Sequence, residues 1–175
     1  GTKLDDAVAS VVGGEPTDKP GTTTYEPATL GAGTFYVSTK SNDTAPTVQL
    51  TFENAGYGQY YIKDSTGQYV YPNATYESFL FLGQWRYSVI TTADKKDAAV
   101  KVREGEDGSI VISRAVTGSR STTAYLTLSG TPFGAGGNSK SLYLYSQKTT
   151  PGGKETTLTF TGKSAGTTTV TIGNV

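Results

Sequence analysis

Ten aromatic side chains fall between Tyr57 and Tyr87: Tyr57, Tyr60, Tyr61, Tyr69, Tyr71, Tyr76, Phe79, Phe81, Trp85 and Tyr87. Gln59, Lys63, Asp64, Gln68, Asn73, Glu77, Gln84 and Arg86 are interleaved with them. Aromatic faces stack on the apolar faces of sugar rings, while amides and carboxylates hydrogen-bond the hydroxyls, so this mixture suits a glycan or peptide surface. Alternating tyrosines also build ordinary β cores whose hydroxyls reach the rim. Tyr60 and Tyr61 are adjacent and therefore point to opposite faces of a strand, which leaves at least one ring of this segment outside a common core. Tyr57, Tyr61, Tyr69, Tyr76, Trp85 and Tyr87 are the candidate ligand-binding residues.

What the sequence lacks bounds the remaining chemistry. Without His or Cys, it supplies no imidazole base, thiol nucleophile, disulfide, or zinc, copper or haem ligation. Carboxylate-pair hydrolysis, hard-cation binding and binding without chemistry are left. Glu53, Asp64 and Glu77 are the acids embedded near the aromatic segment, and no motif assigns them catalysis. Asp94 with Asp97, and Glu104 with Glu106 and Asp107, do not reproduce the alternating acid and amide loop of a strong calcium site and read as solvated hairpin tips. The Gly-rich stretch 130–141 carries Lys140 after Ser139 rather than after Gly, and no helix pattern follows, so it reads as a flexible loop rather than a phosphate cradle. The expectation is a non-enzymatic protein with no cofactor and no metal.

The 15 basic and 15 acidic side chains cancel, so no global field steers the chain to nucleic acid or to an anionic membrane. The longest apolar run is a few residues, too short for a transmembrane helix. The 30 threonines, with many Ser and Gly, describe a solvated β-rich surface and point to an extracellular or cell-surface location. In an exported protein Asn42-Asp43-Thr44 and Asn73-Ala74-Thr75 are glycan acceptor triplets. The start at Gly1, with neither Met nor a leader, suggests a processed chain.

The elements that position these residues follow from periodicity. From Tyr25 onward the period is two: Phe35 with Val37, Val48 with Leu50 and Phe52, Tyr60 with Ile62, Tyr69 with Tyr71, Phe79 with Phe81, Trp85 with Tyr87 and Val89. Val100 with Val102, Ile110 with Ile112, Leu126 with Leu128, Leu142 with Leu144, Leu158 with Phe160 and Val170 with Ile172 continue it. Turn signals such as 64–67, Pro72-Asn73, 106–108, 130–132, 151–153 and 163–166 punctuate the series. This predicts an all-β fold, an antiparallel sandwich or barrel of roughly ten to twelve strands. Residues 1–24 differ. Leu4, Val8, Val11 and Val12 recur at helical spacing behind a Thr2/Asp5 capping pattern, which predicts a short amphipathic helix. The alternative is an extended strand, Ala7 to Val12, open to self-association through residues 4–12. Residues 15–24 read as a linker, 25–175 as the all-β domain, and 155–175 as a C-terminal hairpin with outward threonines.

The segment Tyr60-Tyr61-Ile62-Lys63-Asp64-Ser65-Thr66-Gly67-Gln68-Tyr69-Val70-Tyr71, followed by Thr75-Tyr76-Glu77-Ser78-Phe79, resembles a hairpin and strand of secreted or lipid-anchored all-β surface modules of gut Bacteroidetes. Trp85-Arg86-Tyr87-Ser88-Val89, Asp107-Gly108-Ser109-Ile110-Val111-Ile112 and Leu142-Tyr143-Leu144-Tyr145 follow in the same order, so the resemblance covers about residues 57–146. It departs in spacing, with a polar insertion from Asp94 to Asp107. The resemblance implies an adhesin-like or glycan-binding module with no catalytic residues to carry over, and makes residues 1–24 look like a lipoprotein stalk. The expected function is recognition of a glycan or surface protein through an aromatic-rich β face. The alternative is a structural subunit of a surface filament or coat, assembled through the N-terminal arm.

Overall fold

A computed structural model describes residues 8–162 and 167–174. It contains fifteen strands and, among the described residues, no helix long and apolar enough to cross a membrane. Alternation makes the strands. In β5 (Val48–Gly56), Leu50 and Phe52 are buried while Thr51 and Glu53 lie on the opposite face, and in β6 (Gln59–Lys63) Ile62 is buried between Tyr61 and Lys63. The all-β expectation therefore holds.

Two compact units divide the chain, one comprising Thr24–Lys148 and the other the flanking segments. In the larger unit β4 (Gly33–Ser38) pairs with β5, β5 with β6, β6 with β9 (Val100–Glu104), β9 with β10 (Ser109–Val116), β10 with β13 (Leu142–Thr150) and β13 with β4. The ladder returns to its start, so these six antiparallel strands close into a barrel, which removes their open edges. Val37, Leu50, Phe52, Ile62, Val100, Val102, Ile110, Ile112, Leu142 and Leu144 fill it. Two ribbons extend from the barrel: β7 (Tyr69–Phe79) with β8 (Leu82–Thr92), leaving β6 at Lys63↔Tyr69, and β11 (Thr122–Thr127) with β12 (Gly134–Gly136), leaving the second half of β10. They lie against each other, burying Val70, Pro72, Ala74, Ala124 and Leu126.

Several expectations are corrected. Pro72-Asn73 is no turn but lies inside β7, opposite Val89 and Ser88. Beyond Tyr69 this strand has a ladder partner on one side only among the described residues, and a proline, which cannot donate, is tolerated there. Phe79 and Phe81 form no strand face: Phe79 ends β7 and Phe81 occupies the turn to β8. The Gly-rich stretch 130–141 holds the short strand β12, and Phe133 packs on the core.

In the smaller unit β14 (Lys154–Gly162) pairs along its length with β15 (Thr167–Asn174), and its other edge receives β1 (Val8–Gly13) and β2 (Thr17–Asp18). The predicted helix is thus a strand over Val8–Gly13, while residues 1–7, including Leu4, lie outside the described residues. An isolated two-turn helix is marginal in water, whereas β-branched Val residues laid on the edge of β14 gain its ladder partners along one side. Residues 15–24 are not a free linker either: β2 joins β14, and β3 (Thr22–Pro27) pairs with β13. The C-terminal hairpin belongs with the arm in this unit, because its ladder runs to β1 and β2.

Candidate functional site

The outward residues of β6 are Gln59, Tyr61 and Lys63, since Tyr60 and Ile62 face the core. Around Tyr61 the structure gathers part of the predicted set. The Tyr61 and Tyr69 rings stand edge to face at 6.1 Å, Lys95 Nζ lies 5.2 Å over Tyr61, and Lys63 Nζ lies 5.0 Å over Tyr69. Glu53, opposite Tyr61, accepts a hydrogen bond from the Tyr69 hydroxyl at 3.3 Å and pairs with Lys63 at 2.8 Å. The bond from Lys63 holds the Glu53 carboxyl below its ordinary value, and Glu53 in turn raises Lys63. Asp64 is tied into its turn, accepting from the Thr66 and Gln68 amides, and Glu77 pairs with Arg86. Beside this cluster a groove of about 310 Å³ runs between Thr34, Gln49, Thr51 and Ser65.

The same outer face continues from Gln59 across the barrel. Gln59 stands opposite Lys101, Lys101 opposite Ser113, Ser113 opposite Tyr125, and Tyr125 opposite Gly136, so one row crosses five strands. At the usual strand spacing, Lys101 and Tyr125 are about 10 Å apart. A cleft of about 570 Å³ opens on this row and is walled by Arg103, Arg114, Thr123 and Asp97 as well. Lys101, Arg103 and Arg114 thus line a cleft that holds one acidic residue, Asp97. Arg114 is held in place: Nε donates to the Asp97 carbonyl and Nη1 to Asn73 Oδ1, both at 3.0 Å, and its guanidinium lies 4.6 Å from the Tyr71 ring centre. Lys101 and Arg103 make no ion pair among the described residues and are exposed. Asp97 sits at φ +67°, a left-handed conformation that costs a non-glycine residue of order 1 kcal/mol. Gly136 has open space where a Cβ would stand, so the face beside Tyr125 is unobstructed.

The other predicted residues are not part of this face. Tyr76 and Trp85 stack edge to face at 5.2 Å with Arg120 over Tyr76. The Tyr87 hydroxyl meets Thr122 Oγ1 at 3.0 Å, so Tyr87 joins β8 to β11. Tyr57 stands alone and fully exposed between Gly56 and Gly58, itself at φ +54°. The two acceptor triplets also differ: Asn42 is exposed in a loop, whereas Asn73 is half-buried in β7 and bonded to Arg114. Lys101, Arg103, Arg114 and Tyr125 were missed by the aromatic criterion. The one local signal was Val100-Lys101-Val102-Arg103, whose period of two puts both cations on the face opposite the buried valines.

No group of three or more acids able to hold a metal is present among the described residues. Comparison with known proteins finds no family whose model matches this chain, no similar curated protein and no solved structure like it.

Proposed function

We propose that this protein is a non-enzymatic binding module of an extracellular or cell surface, and that its ligand is a glycan bearing carboxylate or sulfate groups. The observation that carries this reading is the cross-strand row from Gln59 through Lys101 and Ser113 to Tyr125, with Arg103 and the pre-positioned Arg114 beside it. Arg and Lys recognise anionic groups, Gln, Ser and Thr exchange hydrogen bonds with sugar hydroxyls, and the phenol ring offers a stacking surface. The Tyr61–Tyr69 cluster extends the same face for a longer chain. Titration calorimetry with polygalacturonate and with its methyl-esterified, uncharged form tests it. The acidic polymer is expected to bind, more weakly as salt rises. Lys101→Ala with Arg103→Ala is expected to weaken binding at least tenfold, with stability changed by less than about 0.5 kcal/mol for these two exposed positions, and Tyr61→Ala to weaken it several-fold. Equal binding of both polymers, or undiminished binding by the double variant, refutes the assignment.

One observation favours the assembly alternative, a subunit of a surface filament or coat. None of the described side chains in the smaller unit is buried, and Val12, Val170 and Ile172 are exposed there, so a second copy would find apolar surface and strand edges on it. Light scattering on the full chain, with and without residues 1–24, tests this: an assembly that falls to monomer on deletion supports it, and monomers in both cases remove it.

A further inference from the structure

The turn between β7 and β8 consists of large apolar residues only. Phe79, Leu80, Phe81 and Leu82 are exposed by 77, 83, 102 and 78%, and among the described residues of this unit only Tyr57 is a further exposed large hydrophobic side chain. Leu80 takes φ +56°, a turn position where Gly or Asn is the unstrained choice. An apolar, β-branched-free side chain is thus held in a disfavoured conformation at the most projecting point of an eleven-residue ribbon.

We infer that this tip is a membrane anchor that inserts into the interface of a zwitterionic phospholipid bilayer. Three features select a bilayer over a protein groove. First, a strand docking in a groove presents alternate side chains on one face, whereas here all four successive residues are exposed, which suits an isotropic apolar medium. Second, the turn is tight and closed by the Phe79↔Leu82 pair, and because the outer edges of the ribbon keep unpaired backbone groups, insertion is confined to the interface, where headgroups and water can satisfy them. Third, polarity is graded along the ribbon. Tyr76 and Trp85 face each other three residues behind the tip, about 10 Å by strand rise, at the level where amphipathic rings settle in a membrane interface. The intervening Glu77 is neutralised by Arg86, and the chain as a whole is neutral, so apolar contact rather than anionic lipid drives binding. Two cavities of this unit, of about 570 and 500 Å³, are not all-apolar sockets for a second copy's tip, since Asp, Ser and Thr stand in the walls of both.

The chain's single Trp reports on the event. Full-length protein is mixed with phosphatidylcholine vesicles and followed by flotation and by Trp85 emission, including quenching by lipids brominated near the headgroup. Co-flotation with a blue shift, little changed by salt, and at least a tenfold loss of partitioning in Leu80→Asp/Phe81→Asp are expected. Both side chains are exposed, and unchanged circular dichroism would verify that the double variant folds. Absence of flotation at millimolar lipid overturns the proposal, as does equal partitioning by the variant. A blue shift that depends on protein concentration but not on lipid also overturns it, in favour of a second copy.

Discussion

The barrel unit and the β14 sheet have the same kind of backbone pairing and opposite interiors. Both are antiparallel ladders rich in Thr and Val. In the barrel, alternate residues converge on a shared interior, and Leu50, Phe52, Ile62 and Ile112 lose essentially all contact with water. In the smaller unit the β14–β15 register is unbroken over eight pairs, yet no described side chain there is buried. Hydrogen bonds to water largely replace those of a ladder when it opens, so pairing contributes little without burial, and closure of the sheet is what converts alternation into a core.

The sharpest way to break this comparison is to remove one apolar side chain from each unit. Phe52→Ala is expected to cost about 3–5 kcal/mol through lost burial and the cavity left behind, whereas Leu158→Ala, half-buried in β14, should cost about 1 kcal/mol. Urea unfolding measures both. Equal costs would mean that the smaller sheet has an interior of its own. Between these extremes lies Gly83, behind the β7–β8 tip. A Cβ there meets the Tyr76 ring and hydroxyl, so Gly83→Ala must displace the ring that packs on Trp85. The expected loss is about 1–3 kcal/mol, as for overpacking, with a change in Trp85 emission even in the folded state. The smallest effect is electrostatic. Asp107, in the β9–β10 turn, is held at about 2 because Ser109 and then the Tyr143 hydroxyl donate to it. A depressed carboxyl contributes stability that is present above its unfolded value near 3.8 and is lost as pH falls toward 2. Asp107→Asn should flatten the acid limb of stability over that window, read from unfolding midpoints between pH 2 and 5, with no effect on β14–β15.

Much of the fold was legible because a period of two reports burial directly. Val48, Leu50 and Phe52, or Val100 and Val102, name the barrel's inward face without any knowledge of its partners. The candidate site was half legible for the same reason. Tyr60 and Tyr61 must diverge, and the structure does send Tyr60 against the core and Tyr61 outward. Tyr87 could not be read in this way, because its hydroxyl is engaged by Thr122, thirty-five residues away. Nor could the cleft be seen, since its Gln59, Lys101, Ser113 and Tyr125 come from four strands. The N-terminal arm misled because Leu4, Val8, Val11 and Val12 satisfy a helical spacing, while an available edge on β14 decides in favour of a strand.

By itself, then, the sequence determined the secondary-structure class, the inward residues of the six barrel strands, and the exclusion of chemistry that needs His or Cys. These are local properties, set by side-chain type and by a two-residue period. Only the tertiary structure decided that β6, β9 and β10 close the barrel, that Lys101, Arg103 and Tyr125 share one face with Arg114 lining the same cleft, and that Phe79 to Leu82 project together as a tip. Those depend on register and on contacts between residues distant in the chain, whose free energies appear only once the ladder has closed.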